Sequence, residues 1–472
     1  MRHPHSVVTA SNVPDGAASD ADVAQAVWSI DGRSFRLHAD ASAGWRIGDY
    51  LSLTDGSGSQ RLGMLEAVDP VTETAILGSG TLFDLRGTAS QPFRTSDVRR
   101  SESTAIREFF GSASLGIGSL LTAADVVAGL VPSRLNRHTF WCGQSGSGKT
   151  FALGVALERI LLQTRLPIVI FDPNSDFVRL NTARDNADPN EAAELSSRDI
   201  RVLRPGEGKD SLRIRFRDMS PQAKAALIRL DPLVDRAEYN ALLRVGHAAA
   251  RFEDPRQLAP FLRSQHEPGY DALAERLENL GVLNWQIWAG DRTAATQIIA
   301  ERPAATVLDL GGFNDREEQL AVALGVLSDL WMRREERRPV LLVIDEAHNL
   351  CSPELESVAG RAVRDLIISI AAEGRKYGLW LLISTQRPAK VHRGIVSQCD
   401  NLTLMRMNSP NDLDDLADLF GFVPRAMLAQ SSRFRQGEAL LAGGFVPAPS
   451  LLKVRDRLTQ EGGIDVRVPM PD

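Results

Sequence analysis

His138-Thr139-Phe140-Trp141-Cys142 runs straight into Gly143-Gln144-Ser145-Gly146-Ser147-Gly148-Lys149-Thr150, and Phe151–Leu162 follows with apolar residues at helical spacing. The order is a short apolar strand, a glycine-rich loop, then a helix. The loop fits G-x-x-x-x-G-K-[ST] at every position. Its glycines let the backbone wrap a phosphate with N–H groups turned inward, Lys149 reaches the β- and γ-phosphates, and the Thr150 hydroxyl ligates Mg²⁺. The helix that begins there adds the positive end of its dipole. A chance glycine-rich turn would lack the strand before it and the helix after it. The stretch therefore predicts a site for ATP and Mg²⁺ built from Gly143, Gln144, Ser145, Gly146, Ser147, Gly148, Lys149 and Thr150.

Outward from this loop the same strand pattern recurs at Pro167–Phe171, Ala305–Leu310, Val340–Ile344, Leu379–Ser384, Asn401–Met407 and Glu438–Ala442. Each run is continuously apolar rather than alternating, as in strands covered on both faces of a parallel sheet. Helical stretches such as Glu318–Arg333 lie between them. The expected fold is α/β: a RecA-like P-loop ATPase core with a mostly parallel sheet in a three-layer sandwich, spanning 136–180 and 300–445. Residues 181–299, rich in Ala, Leu, Arg and Glu, read as a helical insertion that includes Gln222–Leu230 and Tyr270–Leu280. Ahead of the core, 26–100 alternates with period two and breaks at Gly and Asp, which predicts a small β-barrel or sandwich, and 101–135 reads as a linker. Residues 1–25 are polar and read as a disordered tail, and 446–472 forms a separate C-terminal segment.

Leu341-Leu342-Val343-Ile344 leads into Asp345-Glu346-Ala347-His348. Strand ends of a parallel sheet face the ligand crevice, so these acids point towards the nucleotide. Asp345 is placed to hold the Mg²⁺ shell and Glu346 to polarise the attacking water; the plain alternative is a solvated strand end. Asp-Glu-Ala-His also occurs in two-lobed helicases, but too little chain follows Glu346 for a second lobe. One lobe implies that a neighbouring subunit completes the site. Gln386 ends the strand Leu381–Thr385, where it can bond a γ-phosphate or the attacking water, or simply be exposed. Arginine stabilises charge in phosphoryl transfer, often from a neighbour. Arg137, Arg375 and Arg387 are the candidates, against a reading of each as a surface arginine at an element end. Asp172 either supports the site from behind or caps a turn.

Composition narrows the class without naming a ligand. With 43% hydrophobic and 24% charged residues in 472, the chain is an ordinary soluble protein of two or three domains. No apolar run reaches the roughly 18 to 20 residues of a membrane span. Three cysteines, Cys142, Cys351 and Cys399, are too few and odd in number for a disulfide framework, which fits a reducing cytoplasm. A net charge of −6 neither requires nor forbids nucleic acid, because a ring can be basic only in its channel. Arg361, Arg364, Lys390 and Arg393 are candidates for DNA contact, each with a solvated charged face as the alternative.

Together these runs resemble the HerA branch of the HerA–FtsK family of DNA-pumping ATPases. The resemblance rests on the phosphate loop, Phe171-Asp172-Pro173, Val343–Asn349, Glu373-Gly374-Arg375-Lys376-Tyr377-Gly378, Ser384-Thr385-Gln386-Arg387-Pro388, Ser397-Gln398-Cys399-Asp400 and Gly437–Leu441. It implies a homo-hexamer that encircles double-stranded DNA and hydrolyses ATP between subunits, with Arg137 and Arg375 at the family's functional arginine positions. It further implies a nuclease or other effector partner docked on the N-terminal barrel, in DNA end processing or anti-phage defence. Leu451–Asp472, with Gly462-Gly463-Ile464-Asp465-Val466, resembles a C-terminal brace on a neighbouring subunit. FtsK-type translocases match less well, for want of membrane helices and a winged-helix module, and no Leu-Ser-Gly-Gly-Gln signature suggests a transporter ATPase. Two other readings stay open: a ring scaffold that activates a partner without moving, and a single-strand helicase of a related ring family.

Overall fold

The structure is a computed structural model that describes residues 25–54, 58–83, 91–249 and 255–463. The expected tail lies outside these residues except for Gln25, and so does the C-terminal stretch from Ile464 onward. The chain divides into two compact units, Met1–Ser101 and Glu102–Asp472.

The first unit is one antiparallel sheet of seven strands: β1 (Ala26–Ser29), β2 (Ser34–Asp40), β3 (Tyr50–Thr54), β4 (Gln60–Pro70), β5 (Ala75–Phe83), β6 (Phe93–Thr95) and β7 (Val98–Arg100), in the order β6-β1-β2-β5-β4-β3-β7. Alternation sends Val27, Phe35, Leu37, Leu51, Leu53, Leu65 and Leu82 into a single core. The two outermost strands, β6 and β7, are separated in sequence only by Ser96 and Asp97, so the sheet curls until its edges nearly meet. A bulge between Leu65 and Ala67 tightens that curl. Gly80 permits it as well: a Cβ there would lie 1.9 Å from the Met64 carbonyl oxygen.

The second unit holds an eleven-stranded sheet. Its strands are β8 (Leu115–Leu120), β9 (Val127–Leu130), β10 (Thr139–Cys142), β11 (Ile168–Asp172), β12 (Ile200–Leu203), β13 (Ala305–Asp309), β14 (Val340–Ile344), β15 (Leu379–Thr385), β16 (Asn401–Met405), β17 (Glu438–Gly443) and β18 (Ser450–Val454). The order is β12-β13-β11-β14-β15-β10-β16-β17-β18-β8-β9. From β12 to β16 neighbouring strands run parallel; from β16 to β9 they run antiparallel. Apart from the edge strand β12, the parallel half is largely apolar and buried, as both faces are covered. Helices Arg316–Met332 and Val358–Glu373 pack on one another, and helix Lys149–Gln163 packs on β8 and on helix Pro189–Ser196.

Three stretches depart from the sequence reading. Residues 101–135, expected as a linker, form helix Ser103–Phe109 and contribute β8 and β9 to the sheet. Gly116 and Gly118 blurred the strand signal, yet Gly118 is needed for the pairing: a Cβ there would sit 2.1 Å from the Lys453 carbonyl oxygen. The helical insertion donates β12, a four-residue edge strand, as well as its helices. The C-terminal segment contributes β18, and its residues up to Gly463 pack on their own chain.

That packing is tight. Glu158, buried on helix Lys149–Gln163, accepts hydrogen bonds from Leu458 N (2.9 Å), Thr459 N (2.7 Å) and Thr459 Oγ1 (2.6 Å). Arg457 lies 3.6 Å from the same carboxylate, and both side chains are 0% exposed. Gly154 makes the room, since a Cβ there would stand 2.6 Å from the guanidinium. All three cysteines are buried and free, and burial pushes each thiol up. Among the described residues no helix is long and apolar enough to cross a membrane.

Replacing Glu158 by Ala leaves the buried Arg457 guanidinium with the more exposed and more distant Glu461, at 3.8 Å, in place of its buried partner. The expected cost is about 3–5 kcal/mol, read as a lower midpoint in denaturant unfolding of the full chain.

Candidate active site

Strands β14, β15 and β10 lie side by side and parallel, so their carboxyl ends open on one crevice. From β10 comes the phosphate loop, in which Gly146 and Gly148 adopt φ of 72° and 89°. Gln144 N bonds the Arg406 carbonyl at 2.9 Å, and Ser147 N bonds the Gln144 carbonyl at 3.2 Å, which fixes the loop's shape. From β14 come Asp345 and Glu346, and from β15 come Ser384, Thr385 and Gln386.

These groups converge. Lys149 Nζ donates to Asp345 Oδ1 (2.9 Å) and to Ser384 Oγ (2.9 Å), and lies 3.2 Å from Glu346 Oε1. Ser384 Oγ donates to Asp345 Oδ1 at 2.6 Å, and Gln386 Nε2 donates to Glu346 Oε1 at 2.7 Å. His348 Nδ1 is 3.3 Å from Glu346 Oε2 and 3.3 Å from Thr385 Oγ1. Glu346 is held at φ 42°, a left-handed conformation that costs a non-glycine residue energy and tends to persist at functional sites.

The electrostatics follow from burial and neighbours. Burial alone would raise the Glu346 carboxyl; the contacts from His348, Lys149 and Gln386 outweigh it and bring the group to about 2. Burial opposes the Lys149 charge as well, but Asp345 and Glu346 more than compensate, so the ammonium is held above its usual range. Asp172 is pushed up to about 7 by burial, offset in part by the Phe177 and Asp176 amides that its carboxylate accepts at 2.8 and 2.9 Å. Asp172 thus caps the turn after β11. Asp176 rises to about 6 through burial and the charge of Asp345.

A cavity of about 470 Å³ runs along the loop, lined by Gln144–Gly146, Gly148–Phe151 and Gln386, with a far wall from Gln436, Gly437 and the C-terminal segment. That size suits a nucleotide. The two arginines Arg137 and Arg375 are brought together elsewhere. Arg375 Nη1 donates to Asp400 Oδ2 at 2.5 Å, and Arg137 Nη1 lies 3.9 Å from the same oxygen. Both precede the amino ends of their strands, opposite the crevice. Arg387 is exposed beside Gln386, and of the basic residues considered for DNA, Lys390 pairs with Glu354 and Arg364 with Asp365.

Residues 115–329 match the family described as helicase HerA, central domain. The DNA double-strand break repair helicase HerA of Sulfurisphaera tokodaii is 24% identical over 404 residues, covering 79% of this chain and 76% of that protein. That of Pyrococcus furiosus is 22% identical over 427 residues, covering 77% and 73%. Over most of its length the chain is similar to HerA-type P-loop ATPases. Among solved structures the chain resembles VirB4 of Thermoanaerobacter pseudethanolicus, with a TM-score of 0.52 at 18% identity over 73% of this chain and 96% of that one. It also resembles the bacterial conjugative coupling protein TrwB, with a TM-score of 0.51 at 13% identity over 78% and 94%. Both likenesses are of fold.

Asp176 yields a pH test. Its folded value, about 6, lies above the ordinary 3.8, so its protonated form favours the folded state below about pH 4, and that stability is lost as pH rises through 6. Asp176→Asn is expected to raise the melting temperature at pH 8, by an amount equivalent to about 1–2 kcal/mol after solvent screening, and to leave it unchanged at pH 4.

Proposed function

We propose that this HerA-type ATPase is a motor that assembles as a homo-hexamer around double-stranded DNA, hydrolyses ATP between subunits, and works with a nuclease or other effector in DNA end processing or anti-phage defence. One observation carries the reading. Arg137 precedes the amino end of β10, and the four residues of that strand, roughly 13 Å at about 3.3 Å per residue, separate it from the loop that opens at Gly143. Arg375, bonded to the same Asp400, shares that end of the sheet. Neither guanidinium can reach a phosphate held by its own loop, so a role in phosphoryl transfer requires a second copy.

Within one copy the remaining groups suit hydrolysis. Glu346, kept ionised and fixed between Gln386 and His348, orients and polarises a water molecule. Lys149 exchanges its carboxylate partners for the β- and γ-phosphates when nucleotide enters. The site also fits Mg²⁺: Asp345 Oδ2 is buried without a hydrogen-bond partner, and Thr150 lines the same cavity. Thr150 and Asp345 would hold the ion, which supplies charge neutralisation to the phosphates. Duplex DNA as the track is supported by the relatives named as double-strand break repair helicases. The curled N-terminal sheet is the proposed docking surface for the effector.

Glu346→Gln is expected to abolish ATP turnover stimulated by double-stranded DNA while nucleotide binding persists. Arg375→Ala is expected to lose about 1,000-fold in turnover, the lower end of what an arginine supplied in trans contributes. Mixing the two variants should recover turnover that neither shows alone, because one supplies Glu346 and the other Arg375 to a shared site. A mixture as inactive as its components would sink the shared-site reading.

A further inference from the structure

We propose that Lys453 is a second phosphate-gripping lysine, delivered to the nucleotide cavity by the chain's own C-terminal strand β18; this rests on the reading of the cavity as the nucleotide site. The end of β18 is pinned against the phosphate loop through one residue. Val454 N donates to the Gly437 carbonyl at 2.9 Å, and Gly437 N donates to the Ser147 carbonyl at 2.9 Å. A Cβ on Gly148 would lie 3.3 Å from Gly437 N, and a Cβ on Gly437 would lie 3.2 Å from Lys453 Nζ. The ammonium is therefore one residue's width from the loop, lying over a glycine with no side chain to hold it away.

The ammonium's own partner there is weak for a cation. Lys453 Nζ donates to the Gln436 carbonyl at 2.5 Å, and among the described residues it forms no ion pair. Glu438 stands opposite it in the strand register, but that carboxylate accepts from Arg435 N at 2.8 Å. An exposed, uncompensated cation beside a loop of inward N–H groups attracts an anion. Lys149, by contrast, is already neutralised by Asp345 and Glu346. Asp456 and Glu461 line the same cavity and set its polarity, since they repel phosphate and can accept from nucleoside hydroxyls. Phosphates accordingly lie between Lys149 and Lys453, and the nucleoside lies towards the two acids.

The test compares full-length Lys453→Met, which keeps the aliphatic stem, with Lys453→Arg and wild type, by titrating ATP, ADP and adenosine and by steady-state turnover. Lys453→Met is expected to weaken ATP and ADP binding about tenfold, the scale of a charge-assisted hydrogen bond discounted for exposure. Adenosine affinity and the melting temperature stay at the wild-type level, turnover below saturating ATP falls with the lost affinity, and Lys453→Arg restores most of that affinity. Unchanged ATP and ADP affinity overturns the proposal, as does an equal loss for adenosine, which marks a structural role. Should Lys453→Met fold poorly, Lys453→Gln is read by the same criteria. Lys149→Ala serves as the separate control: if it too binds ATP normally, the nucleotide reading of the cavity fails, whatever Lys453 does.

Discussion

The ammonium of Lys149, buried between two carboxylates and a serine hydroxyl, holds three strands to one arrangement. Two unit charges about 4 Å apart attract by roughly 4 kcal/mol in a protein-like medium, but burying them costs several kcal/mol each unless the remaining lone pairs are satisfied. The balance is favourable only when the carboxyl ends of β10, β14 and β15 coincide. A slip in register of any of the three would leave a charge without its partner. The Lys149 ammonium is consequently engaged by its own chain, and at the proposed nucleotide site a phosphate would have to replace one set of charges with another.

The parallel half of the sheet has two chemically different ends. Acids, Lys149 and Gln386 gather at the carboxyl end, with Glu346 strained at φ 42°. At the amino end Asp400 gathers Arg137 and Arg375, and behind them His138 is fully buried and accepts the Leu381 amide at 2.9 Å. Burial and the adjacent Arg375 bring that imidazole down to about 4, so it stays neutral beneath two cations. In the proposed ring this two-ended chemistry would be complementary: what one end lacks, the other end of an identical copy would supply.

Much of this was legible in the residues themselves. The phosphate loop and the seven apolar runs lie where the sequence places them, because a strand covered on both faces must be apolar throughout and announces itself. What escaped was signalled by neither composition nor period. β8 carries Gly116 and Gly118, which depress strand propensity, though Gly118 allows β18 to approach and Gly116 makes room for Val127 of β9; β12 is too short and half-exposed to show a pattern. Ser384 and His348 stood inside quoted strings without a role, since their meeting with Lys149 and Glu346 depends on strand order, which no local pattern encodes. For Asp172 both readings fitted the residues, and only the positions of two backbone amides show the turn cap.

The three sheltered thiols have a practical consequence. Thiolate is the reactive form, and groups that are both enclosed and held protonated react slowly with alkylating reagents. A cysteine introduced on the surface would therefore be the fast-reacting position in an otherwise natural chain. Dyes or spin labels could be attached at chosen points to follow movement of the chain without first removing Cys142, Cys351 and Cys399 from the interior.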